Sequence, residues 1–65
     1  MTVLYAIPCS FKSTKGSETE YGLAICSDPD TPITFIYANG SPVIGDIIWN
    51  YHLMHHSPWA KLEMP

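Results

Sequence analysis

The chain has 65 residues, enough for one domain and no more, because chains divide into domains only well above this length. Its composition, 46% hydrophobic and 12% aromatic, is rich enough for a core and excludes an intrinsically disordered class. Three lysines against six acids, with no arginine, give a net charge of −3 and argue against nucleic acid, whose phosphates take several cations to bind.

The longest apolar run, Val3 to Pro8, is too short to span a bilayer, so no membrane segment is expected. No charged stretch followed by an apolar one opens the chain as a secretory leader would. Two cysteines, Cys9 and Cys26, are too few for a disulfide scaffold, so the expected compartment is the cytoplasm with both thiols reduced.

Thr2 to Phe11 alternates, with Val3, Tyr5, Ile7, Cys9 and Phe11 on one side, and reads as a strand with one buried face. Pro8 has no N–H to donate, which predicts that this strand lies at a sheet edge. Lys12 to Glu20 is polar and reads as a loop around Gly16. Tyr21 to Ser27 alternates again, with Tyr21, Leu23 and Ile25 together. Asp28-Pro29-Asp30-Thr31-Pro32 is dense turn chemistry, and Ile33 to Ala38 reads as a third strand facing Ile33, Phe35 and Tyr37 inward.

Centring the first loop on Gly16 sets Phe11 opposite Tyr21 and Cys9 opposite Leu23. Centring the second turn on Asp30 sets Ile25 opposite Phe35. Both registers gather the large apolar residues on one side, and they place Cys9 and Cys26 on opposite faces, where no disulfide forms.

Residues 42–56 carry a helical pattern. Ser41 suits an N-cap and Pro42 the first helical position, while Val43, Ile44, Ile47, Ile48, Tyr51 and Met54 follow the i, i+3/i+4 rule. Gly45 weakens that pattern. Asn39-Gly40 offers a competing reading as a hairpin turn, with residues 41–45 as a further strand. Ser57-Pro58 ends the helix, and residues 57–65 form a tail. The expected fold class is therefore α+β in the order βββα: a three-stranded antiparallel meander (about 2–11, 21–27 and 33–38) packed by one C-terminal helix. Its expected core is Val3, Tyr5, Ile7, Phe11, Leu23, Ile25, Ile33, Phe35, Tyr37, Ile44, Ile47, Ile48 and Tyr51.

On such a helix Trp49 and Leu53 point away from the core stripe, one turn apart and flanked by Asp46, His52 and His56. A tryptophan ridge of this kind is a protein-binding hot spot, unless the tail covers it. The open sheet face, with Leu4, Ala6, Ala24, Cys26 and Ile36, also with Gly22 and Ala38, carries no charge and forms a second candidate interface, including one between two copies. His52, His55 and His56 raise the question of a metal, but no Cys-x-x-Cys or carboxylate completes a ligand set, and solvated helix-end histidines account for them. No nucleophile signature, P-loop or Gly-x-Gly-x-x-Gly pattern is present, so neither catalysis nor a cofactor is expected.

The expected function is a small non-enzymatic protein-interaction module. By class-level analogy, very short acidic domains without motifs include phage- and mobile-element-type inhibitors that sterically block a larger host protein. The competing classes are a small histidine-based metal-binding protein and a structural subunit of a larger assembly.

Overall fold

The computed structural model describes residues 2–16 and 18–65. Its alternation starts as the sequence predicts and then runs further. β1 spans Thr2–Ser13, followed by β2 (Glu20–Asp28), β3 (Thr31–Tyr37), β4 (Ile48–Leu53) and β5 (Ala60–Met64). All pairings are antiparallel, in the order β3-β2-β1-β4, with β5 also on β1. The sheet curls into a half-barrel. The described residues contain no helix, so the architecture is all-β and the α+β expectation is corrected.

Residues 42–56 fail as a helix for local reasons. The segment holds Gly45 and a series of β-branched and aromatic residues, which are poor helix formers, and only Leu53 and Met54 favour a helix strongly. Gly45 adopts φ of +70°, in the left-handed region, which interrupts any right-handed turn. Of the competing hairpin reading the turn forms, but residues 41–45 make only an isolated bridge, Pro42 to Ile36, and no strand. Gly40 turns at φ of +91°, and the Val43 and Tyr37 amides donate to Phe35 and Ser41 carbonyls at 3.1 and 2.8 Å. The chain then crosses to β1, where β4 satisfies backbone groups that would otherwise stand open along residues 9–13.

β1 is the central strand, not an edge. Its first half pairs with β5 (Leu4 opposite Leu62) and its second half with β4 (Cys9 opposite Leu53), on the same side. Pro8 falls at the break between them. Its carbonyl accepts from the Met54 amide at 2.8 Å, and its nitrogen points the same way, into the gap left by residues 54–59. A missing donor costs nothing where the neighbouring strand is interrupted.

The register of β2 differs from expectation by one residue. Cys9 pairs with Gly22, Ile7 with Ala24 and Tyr5 with Cys26; on the other side Ala24 pairs with Phe35 and Gly22 with Tyr37. A slip of one turns every side chain over, so Tyr21, Leu23 and Ile25 face outward. The inner face of β2 is therefore small: Gly22, Ala24 and Cys26. That smallness permits the curl. Phe11, from β1, lies 5.4 Å from the Phe35 ring and 5.6 Å from the Tyr37 ring, and Phe35 in turn reaches Tyr51 of β4 at 5.6 Å. Large residues of β1 and β3 meet above the small ones of β2 between them.

The buried hydrophobic core is Ile7, Cys9, Phe11, Ala24 and Cys26, with Tyr5, Phe35, Tyr37, Val43, Ile48 and Leu53 packed around it. The expected core members Ile33, Ile44 and Ile47 stand at least 61% exposed: Ile44 and Ile47 lie in the β3–β4 connection where no helix forms, and Ile33 falls at a register shift between β3 and β2.

Candidate functional site

The outer face of the sheet is an unfinished surface. Side chains directly opposite each other in an antiparallel pair share a face, so the register reads it row by row. One row holds Leu4 beside Leu62. The next holds Ala6 between Ile25 and Ala60, followed by Pro8, Leu23 and Ile36. Leu23 and Leu62 are 37% and 40% exposed. An antiparallel sheet with one solvated face ordinarily carries polar residues there. Across these three rows the paired residues of this face are apolar except for Thr34, opposite Ile25. Toward the far end it becomes polar, with Tyr21, Ser10 and His52 and then Lys12 and Asn50.

Trp49 sits at that polar end. Between Lys12 and Ser13 the partner strand advances two residues, from Asn50 to Ile48, so Trp49 is the extra residue of a β-bulge. Bulges re-aim side chains, and Trp49 stands 57% exposed with the Lys12 ammonium 5.7 Å from its ring centroid. The exposure expected of Trp49 is present, on a strand in place of a helix.

The other residues of the expected ridge disperse. Leu53 turns inward, opposite Cys9, and packs on the core. His52 is exposed opposite Ser10, and His56 is exposed in the turn after β4. Asp46 lies in the β3–β4 connection. Of the second interface, Leu4, Ala6 and Ile36 are on the outer face, whereas Ala24 and Cys26 are fully buried inside. That correction follows from the slipped register. Its signal was Gly22: a Cβ there would overlap the Ile36 carbonyl oxygen and stand 2.9 Å from its carbon, a close approach that marks the crowded side.

Cys9 and Cys26 share the inner face, but their register partners, Gly22 and Tyr5, keep them four residues apart along the strands, and both are free thiols. Burial pushes the Cys9 thiol up to about 11, outweighing its bond with the His52 backbone, so it is no nucleophile at neutral pH. His55 Nε2 meets the Pro29 carbonyl at 2.7 Å and the Asp30 carboxylate at 3.6 Å, tying the β4–β5 turn to the β2–β3 turn. Among the described residues no three His, Cys, Asp or Glu side chains converge as a metal site would require.

Asp46 serves the fold. Its Oδ1 accepts from Thr14 Oγ1 at 2.6 Å and from the Lys15 and Ile47 amides, both at 3.1 Å. Oδ2 is buried without a hydrogen-bond partner. Desolvation raises the carboxyl, but the Ser13 and Thr14 hydroxyls, the Ile47 amide and the Lys15 charge together hold it below the usual carboxylate range. Asp28 is also held low, by the Asp30 amide and the Thr31 hydroxyl. Both groups are depressed in the folded state. The stability they supply is therefore complete above the unfolded carboxylate value of about 3.9 and is lost as pH falls through the folded values. Asp46→Asn keeps an acceptor but removes the charge. Thermal melts from pH 7 to pH 2 should show the variant less stable at neutral pH, with the gap closing below about pH 4. A gap undiminished in acid would contradict this account of the carboxylate.

Among the described residues no helix is long and apolar enough to cross a membrane. No family model, curated protein or solved structure matches the chain.

Proposed function

We propose that the protein is a small non-enzymatic interaction module, acting in the cytoplasm, that binds a larger protein through the outer face of its sheet. The observation that carries this reading is the uncharged outer band of Leu4, Ala6, Pro8, Leu23, Ile25 and Ile36, half-buried on a strand framework with Leu23 exposed at its middle. Contiguous apolar patches on small proteins mark interaction sites. The rim of Lys12, His52 and Trp49 gives the patch the apolar centre and polar border of a protein interface, with an aromatic anchor. Binding of this kind suits a steric inhibitor, which needs surface and no chemistry.

The reading relocates the contact from a Trp49/Leu53 helix ridge to a sheet face. Leu23→Glu places a charge in the middle of the band, at a position already open to water. Affinity capture from lysate should recover one dominant protein with the wild type and lose it with Leu23→Glu, while the melting temperatures stay within about 5 °C. Trp49→Ala should weaken the same capture by about tenfold or more. Capture of that protein equally by Leu23→Glu, or none by the wild type, would overturn the proposal.

A further inference from the structure

We propose that the free edge of β5 pairs with β5 of a second copy, joining two half-barrels into one continuous antiparallel sheet. β5 hydrogen-bonds β1 along one edge, and its other edge has no partner among the described residues. All five of its residues are exposed. An open edge of this kind is a template for another strand. A lysine on an edge ordinarily prevents such pairing, because it brings an unmatched charge against the incoming chain.

Here the sequence Ala60-Lys61-Leu62-Glu63-Met64 supplies the match itself. A two-fold axis through Leu62 sets Lys61 of each copy opposite Glu63 of the other, Leu62 opposite Leu62, and Ala60 opposite Met64. Within one chain Lys61 and Glu63 already stand 3.9 Å apart, so the two charges occupy one face, and the exchange gives each a cross-strand partner directly opposite. Moving the axis one residue either way opposes Lys61 to Lys61 or Glu63 to Glu63, so the charges select a single register. Leu62 lies on the outer face beside Leu4, and Ala60 beside Ala6. The junction therefore continues the apolar band from one copy into the next, and the second copy is an isologous partner. This pairing uses the edge of β5 and does not depend on the outer band binding another protein.

Charge reversal tests it. Sedimentation equilibrium of the purified chain, up to about 1 mM, should show a mass rising from 7.3 kDa toward twice that value. Lys61→Glu sets four acids against each other and should raise the dimer Kd by about tenfold or more; Glu63→Lys should do the same with four lysines. The double swap, Lys61→Glu with Glu63→Lys, restores both pairs and should recover dimerisation. Circular dichroism establishes that each variant is folded, since both side chains are exposed. A wild-type chain that stays monomeric throughout, or single variants that dimerise as the wild type does, would overturn the proposal. So would a double swap as weak as the singles.

Discussion

Gly22→Ala should leave little or no folded protein at room temperature. By propensity alone the change ought to help, since glycine inside a strand costs about 0.5–1 kcal/mol relative to alanine. Here Gly22 lies at the inner face of β2, and its missing side chain is the space occupied by the Ile36 carbonyl group. The obstacle is backbone, which cannot rotate away as a side chain would, so the β2–β3 pairing must open to admit a methyl group. Overpacking commonly costs about 1–3 kcal/mol and more where the backbone must move. A domain of this length has about 3–10 kcal/mol in total. A thermal melt followed by circular dichroism should show the transition lowered by tens of degrees or absent. A variant as stable as the wild type would mean that β2 does not approach β3 as described.

Phe11→Ala should cost about 3–5 kcal/mol, the usual penalty for removing a fully buried phenylalanine. Phe11 is 1% exposed and touches both Phe35 and Tyr37, so its loss leaves a cavity lined by two rings whose backbones are fixed in β3. With only five buried hydrophobic residues among those described, the core has little else with which to fill that space. Denaturant titration would measure the change directly. Tyr51→Ala provides the contrast: Tyr51 meets the same cluster at its open end and is 47% exposed, and should cost less than half as much. Equal losses at the two positions would contradict the placement of the core under Phe11.

The legible part of the fold was the alternation. Val3 to Phe11 has its larger face inside, and so do Phe35 and Tyr37 of β3, while Ile33 falls at a register shift and is exposed. β2 is apolar on both faces, so size favoured Tyr21, Leu23 and Ile25 as the buried set. Curvature decided otherwise, because the large inner residues of β1 and β3 meet over β2 and leave room there only for small ones. Gly22 in mid-strand was the one local sign of that crowding. The helical pattern in 42–56 arose from isoleucines that happen to recur at three- and four-residue spacing. Their β-branched character and the Asn39-Gly40 turn agree with strands, and the unpaired second half of β1 gave β4 its place.

The candidate site follows the same division. Exposure of Trp49 was legible from its mismatch with the apolar stripe, although the bulge that produces it was not. Leu53 was misplaced because a helix turns it 100° per residue, whereas a strand sets it opposite Cys9, facing the core. Leu4, Ala6 and Ile36 kept their outward positions since β1 and β3 were oriented correctly. The residues that complete the outer band, Leu23 and Ile25, emerged only with the register of β2.

That register is the premise of the core, the close approach at Gly22 and the outer face together. Cross-strand nuclear Overhauser contacts in solution test it most directly. The structure predicts contacts joining Cys9 to Gly22, Ile7 to Ala24 and Ala6 to Ile25 as directly opposed pairs. Contacts joining Cys9 to Leu23 and Ile7 to Ile25 would instead turn the large β2 residues inward, remove the outer band and contradict the account.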